Sequence, residues 1–124
     1  VIRPAAQDEL GFIRETSCKV RKPRERSWAS WEAQHGPQVD RWLREGEATV
    51  YAAEEAPEIV LGFLLVTDGD VVRMIYVKRD FRGEGIGLEL LGQLKMPPRP
   101  WQPNGVWRQW VAYHRRVMGN LVAA

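Results

Sequence analysis

An α/β chain of the α+β type, with a mixed, mostly antiparallel sheet flanked by helices, is the fold class predicted for these 124 residues. Two local patterns and the overall composition lead to it. The run Val71-Val72-Arg73-Met74-Ile75-Tyr76-Val77 is β-branched and aromatic, the signature of a strand. It passes through Arg82-Gly83-Glu84-Gly85-Ile86-Gly87 into Ile86, Leu88, Leu90, Leu91 and Leu94, which mark one apolar helical face. Upstream, Asp68-Gly69 is a two-residue hairpin signal between two apolar runs. Hydrophobic residues at 44% and charged residues at 27% lie in the ordinary globular range. A chain this long buries roughly two-thirds of its unfolded surface, so one domain over 1–124 needs no staples.

In chain order, Val1 to Pro4 reads as a short strand. A helix capped by Gln7 or Asp8 follows, with Leu10, Phe12, Ile13, Ser17 and Val20 on or near one face. Pro23, set among Lys19, Arg21, Lys22, Arg24 and Arg26, breaks or restarts it. A second helical region over about 25–45 carries Trp28, Trp31 and Trp42, is interrupted near Gly36-Pro37 and ends at Gly46. Strands are expected over about 48–54, 58–67 and 70–78, and a helix over 85–95. Four prolines in 96–105 predict a loop there. Val106 to Tyr113 then reads as a fifth strand, with a short helix at the end.

The glycine-rich turn carries most of the functional information. Three glycines within 83–87 let the backbone take positive φ and approach a ligand with no Cβ in the way. The amides opening the following helix lack intrahelical partners, which suits an anion. Neither common nucleotide motif fits: no Gly-Lys-Ser/Thr ending is present, and the pattern is not Gly-x-Gly-x-x-Gly.

The segment resembles the acetyl-CoA signature of the GCN5-related N-acetyltransferase (GNAT) superfamily, Gln/Arg-x-x-Gly-x-Gly/Ala, which Arg82, Gly85 and Gly87 match behind a strand ending in Val77. The match is close over about 20 residues, and element order extends it from residue 1 to about 113. By this resemblance, acetyl-CoA or CoA would be the cofactor. The amides of Gly83, Glu84, Gly85, Ile86 and Gly87 would hold its pyrophosphate, and the backbone of Ile75, Tyr76 and Val77 would pair with its pantetheine arm.

Transfer of an acyl group to an amine needs a proton acceptor and a proton donor within reach. In much of that family a Glu in the strand before the turn is the base, whereas Val71 to Val77 holds no carboxylate. The resemblance puts the acid at Tyr113, in a Tyr113-to-Gly119 stretch whose spacing departs from the family's. It also implies a C-terminally shortened fold, because the sequence ends at Ala124 before the family's last hairpin. Asp68 and Asp70 read as turn formers, His35 and His114 as surface or capping residues, Cys18 as a small apolar residue, and Tyr51 and Tyr76 as core.

The net charge of +2 is unevenly spread. No acidic residue follows Glu89, while Lys95, Arg99, Arg108, Arg115 and Arg116 make the last 35 residues basic. Trp101, Trp107 and Trp110 lie among those arginines, a mixture suited to a protein partner, a homo-oligomer contact or base stacking. A single cysteine allows no intrachain disulfide and no CxxC zinc site, so no metal is expected. With no apolar run near 18 residues and no leader at the start, a cytoplasmic protein with no membrane partner is expected. The short form and the Tyr76-to-Gly87 wording are similar to small GNAT-like proteins encoded by tailed bacteriophages, which would add the virion as a location.

Three functions are therefore expected to compete: an acetyl-CoA-dependent N-acyltransferase acting on a protein or small-molecule amine, a catalytically degenerate structural or interaction module of the same fold, and a nucleic-acid-directed protein.

Overall fold

The computed structural model describes residues 1–69, 71–94 and, for backbone alone, 99–100. Strand β1 (Ile2–Pro4) leads to helix α1 (Leu10–Val20) and helix α2 (Trp28–Glu45). Strands β2 (Glu47–Ala52), β3 (Val60–Thr67) and β4 (Val71–Val77) follow, then helix α3 (Ile86–Leu91) and the two-residue strand β5 (Arg99–Pro100). The sheet order is β1-β2-β3-β4-β5. The first four strands are antiparallel to their neighbours and β5 runs parallel to β4, so the sheet is mixed and mostly antiparallel, with helices against it.

Each face of the sheet holds its own apolar cluster. Ile13 and Cys18 of α1 and Val39 and Trp42 of α2 pack with Phe63, Leu65 and Met74 on one face. Ile86, Leu90 and Leu91 of α3 pack with Leu61, Leu64, Val66, Val72 and Val77 on the other. All eight residues of β3 are buried, because a central strand covered on both faces has no polar side.

Entry into α1 differs from the expected cap. The chain turns through a 3₁₀ segment, Gln7–Glu9, before the α-helix opens at Leu10. Neither Gln7 nor Asp8 caps it; the Glu9 carboxylate accepts the Ala6 N–H at 2.7 Å and two bonds from Arg3, at 2.7 and 2.8 Å. The bidentate Arg3 fork ties β1 to the start of α1. On the apolar face of α1, Ile13, Ser17 and Cys18 are buried, while Phe12 and Val20 remain exposed. Burial pushes the Cys18 thiol up from its ordinary range.

The Glu9 carboxyl is held below its ordinary value of 4.5, first by the Arg3 hydrogen bond, against burial and with help from the Ala6 N–H. A depressed folded value means that this pair's contribution is complete above about 4.5 and is lost as pH falls through the folded value. Acid titration of unfolding is expected to show a larger loss for the native chain than for Glu9→Gln; equal losses would count against the pair.

Ser27, whose hydroxyl accepts the Ser30 N–H at 3.2 Å, starts α2 later than sequence pattern suggested. Helix α2 also runs unbroken through Gly36-Pro37, where an interruption was expected. Pro37 removes one helical donor, and Gly36 before it has no Cβ for the ring to strike. Arg14 of α1 lies across this point, bonded to Glu32 at 2.9 Å and Asp40 at 2.6 Å, one turn either side of Gly36. A Cβ at Gly36 would come within 2.6 Å of the Arg14 guanidinium. The cross-helix ion pairs hold together the turn that Pro37 weakens.

Asp68-Gly69 forms the expected hairpin turn, both residues at positive φ (56° and 80°). The pairing at Arg99–Pro100 corrects the expectation of a loop. A proline keeps its carbonyl acceptor, so two residues can still align with Val71 and Val72 at the sheet edge. The expected fifth strand over 106–113 lies outside the described residues. Among the described residues, no helix is long and apolar enough to cross a membrane.

Candidate functional site

The glycine turn stands at the end of β4. After Val77 the chain makes one 3₁₀ turn, Arg79–Phe81, and Arg82 folds back so that its Nε donates to the Val77 carbonyl at 2.9 Å. The Arg82 guanidinium sits 5.8 Å from the centre of the Tyr76 ring. Gly83 and Gly85 take φ of 87° and 86°, left-handed conformations that favour glycine, and Gly85 caps α3. Among the described residues, a Cβ at either position would meet nothing within 4 Å. Positive φ is therefore required by the turn itself, and no described residue fills the space beside it.

The first bond of α3 runs from the Glu89 N–H to the Gly85 carbonyl at 3.0 Å, so the amides of Ile86, Gly87 and Leu88 have no acceptor within the helix. The Ile86 side chain is buried in the α3 cluster and anchors the helix, which leaves only its backbone for a ligand. Gly83 and Glu84 are exposed at the rim.

Strand β4 has one edge bonded to β3 and the other facing β5. The Lys78 N–H donates to the Leu61 carbonyl at 2.8 Å, and the register pairs Tyr76 with Phe63 and Val77 with Gly62. Antiparallel ladders alternate, so the Tyr76 backbone groups point to β3 while those of Ile75 and Val77 point to the outer edge. Of the three residues expected to offer backbone to a cofactor arm, Ile75 and Val77 have the geometry. Tyr76 offers its ring, which packs on Phe63 at 5.5 Å. Strand β5 pairs only with Val71 and Val72, so among the described residues no strand covers the outer edge at Ile75 and Val77.

A second feature has no signal in the sequence. The β3–β4 register shifts between Leu65, opposite Met74, and Val66, opposite Val72, which leaves Arg73 as the extra residue of a bulge. Its Nε donates to Thr67 Oγ1 at 2.9 Å, its Nη2 lies 3.9 Å from the Asp68 carboxylate, and its guanidinium is 5.3 Å from the Trp42 ring centre. Arg21, at the end of α1, donates to the Arg73 carbonyl and brings a second guanidinium to 5.8 Å from the same ring. Burial, and then the charge of Arg73, lowers the Arg21 pKa to about 10.

His35 corrects an expectation. It is buried on α2, stacked on Trp31 at 4.6 Å and edge-on to Trp42 at 5.9 Å, because positions 31, 35 and 42 share one helical face. Burial and Arg21 push its pKa below the ordinary 6.5, so it serves the packing as a neutral ring.

Tyr113, His114, Asp70 and the tryptophans at 101, 107 and 110 lie outside the described residues. Among the described residues, no group of three His, Cys, Asp or Glu side chains could hold a metal.

Comparison with known proteins agrees with this geometry. A family model described as an acetyltransferase (GNAT) domain matches residues 19–97, well over half the chain. Similar solved structures include a candidate acetyl transferase from Pyrococcus furiosus, with TM-score 0.67, 17% identity, and coverage of 91% of this chain and 90% of that one. A possible acetyltransferase from Clostridium difficile gives 0.63 and 19%, covering 94% and 88%. The apo form of YjaB from Escherichia coli gives 0.56 and 22%, covering 94% and 80%. No curated protein matches the sequence. At these identities the solved structures speak for the fold, and the family model, which takes in the second helix, the central strands and the glycine turn, speaks for descent: the chain belongs to the GNAT acetyltransferase family.

Proposed function

We propose that the protein is an acetyl-CoA-dependent N-acyltransferase acting on an amine of a protein or small molecule. The observation that carries this reading is the turn at 82–87, with two left-handed glycines facing open space and an arginine latched beside them. These residues suit a coenzyme A diphosphate: the amides of 83–87 would offer partial positive charge to an anion, and among the described residues nothing lies within 4 Å of a Cβ at Gly83 or Gly85. Ile75 offers outward N–H and C=O groups and Val77 an outward N–H for an extended amide-bearing arm, the Val77 carbonyl being already bonded by Arg82. The bound cofactor would supply an acyl thioester, activated toward amines.

In this reading the chain's own residues bind and orient. The outward amide at Val77 would polarise the thioester carbonyl. Strand β4 carries no carboxylate, so the ammonium proton leaves through ordered water, and Tyr113 is proposed as the acid that returns a proton.

Calorimetric titration with acetyl-CoA tests the proposal. Micromolar binding is expected, weakened about tenfold or more in Arg82→Glu, which sets a negative charge beside the diphosphate seat. The absence of a carboxylate from Val71 to Val77 favours a second reading, a non-catalytic interaction module whose partner contacts the Trp-rich C-terminal region. No binding at millimolar acetyl-CoA would turn the case to that reading.

A further inference from the structure

Residues 19–26, which close α1 and lead to α2, hold the cations Lys19, Arg21, Lys22, Arg24 and Arg26 against the single carboxylate of Glu25. Arg21 turns inward to the Arg73 carbonyl and the Trp42 ring. Of the others, Lys19 and Arg24 are exposed and Lys22 and Arg26 half-buried. Among the described residues none of these four meets a carboxylate at ion-pair distance. Lys22 donates instead to the Pro23 carbonyl at 3.1 Å, and Arg26 to Ser30 Oγ at 2.9 Å and to Gln34. Glu32 is already taken by Arg14, and residues 90–124 bring no acidic side chain. Trp28 opens α2 two residues after Arg26 and is 36% exposed, an indole among guanidiniums of the kind that dominates protein hot spots.

The patch has a fixed relation to the outer edge of β4. Phe12, near the start of α1, meets Tyr76 edge-on at 6.5 Å, while Arg21, just past its end, bonds the Arg73 carbonyl. Helix α1 therefore lies along β4. From Phe12 to Arg21 is about 13 Å along the helix, and from Arg73 to Val77 about 13 Å along the strand. The patch thus stands about four extended residues from the Val77 amide. Its extent bears on the partner. Further along α2 the exposed positions Ala29, Ser30, Ala33, Gln34 and Gln38 are uncharged, so the positive charge stays within one junction. A short run of carboxylates matches that extent, whereas a nucleic-acid duplex engages a track of about 6–10 phosphates.

We propose that the acyl acceptor is an amine of a protein, and that a short acidic run of that protein, about four residues from the amine, docks on Lys19, Lys22, Arg24 and Arg26 beside Trp28; this placement rests on the acyltransferase reading. The transfer forms an N–C bond and breaks the thioester C–S bond. Of the two protons that the ammonium gives up, one ends on the leaving thiol and the other in water.

The probe is a fluorescein-labelled peptide of four glutamates, three neutral residues and one lysine, paired with a peptide in which glutamines replace the glutamates. Anisotropy at low salt is expected to show the acidic peptide binding about tenfold or more tighter, as several exposed charge pairs acting together give. The double variant Lys22→Glu/Arg24→Glu should lose that preference. Arg41→Glu, which alters an exposed arginine about 20 Å along α2 from Trp28, should keep it. Circular dichroism verifies that both variants fold. With acetyl-CoA present, kcat/KM is expected to peak when the lysine stands about four residues from the glutamates, above peptides with shorter or doubled spacing. Equal binding of the two peptides, a preference that survives the double variant, a flat spacing profile, or tighter binding of an oligothymidylate of equal charge would each overturn the proposal, the last assigning the patch to nucleic acid. Acetyl-CoA binding without transfer to any peptide overturns it as well. Failure to bind acetyl-CoA sinks the acyltransferase reading itself, and the peptide preference then decides the docking surface alone.

Discussion

Gly85→Trp is expected to weaken acetyl-CoA binding about 100-fold or more while the fold persists. Among the described residues a Cβ at Gly85 meets nothing within 4 Å, so the indole would project into the space beside the turn. The cost to stability is the left-handed backbone at φ 86°, about 1–2 kcal/mol for a residue with a side chain. Gly69→Trp makes a fitting control. It takes the same kind of backbone penalty at φ 80°, also with nothing within 4 Å among the described residues, but at the other end of β4. Calorimetry on both variants, with circular dichroism to verify folding, reads the difference. Equal acetyl-CoA affinity in Gly85→Trp and the native chain would remove the turn from any cofactor role.

Phe63→Ala is expected to cost about 3–5 kcal/mol of folding free energy. Phe63 is fully buried at the centre of β3 and meets Phe12 edge-on at 6.0 Å and Tyr76 at 5.5 Å. Removing the ring leaves a void between α1 and the sheet that Phe12 and Tyr76, on different elements, cannot close together. Tyr76 also seats the Arg82 guanidinium, so the same change should loosen the glycine turn. Urea unfolding measures the loss; a cost below about 1.5 kcal/mol would show that the layer between α1 and the sheet collapses freely.

The sequence was most legible where structure is local. Strand, turn and helix across 71–91 follow from a β-branched run, clustered glycines and a leucine face. The Asp68-Gly69 hairpin follows from two residues that tolerate positive φ. Where distant residues intervene, local rules misled. Gly36-Pro37 carries a strong breaker signal, but Arg14, more than 20 residues away, bridges the turn to which the signal refers. The helix after the glycine turn ends at Leu91, short of 95, since its leucine periodicity marks an apolar face and not a length.

The candidate site divides in the same way. Its glycine turn lies within six consecutive residues and could be read directly. The arginine cluster could not, because Arg21, Trp42 and Arg73 come from three elements and meet only after the sheet and helices pack. Nothing in Val71 to Val77 announces a bulge, since the shift is a property of pairing with β3. His35 read as a surface residue for a related reason: one histidine in a polar stretch gives no hint of the two indoles that enclose it.

The burial of all eight residues of β3 has a consequence for how such a chain can diverge. Apart from Thr67, whose hydroxyl accepts from Arg73, its side chains are apolar and almost wholly out of water, so drift there is confined to exchanges among apolar residues of similar volume. New binding preferences would then have to arise elsewhere, as along the outer edge of β4. In a lineage of such enzymes, the middle of the sheet would record ancestry and its margin would record diet.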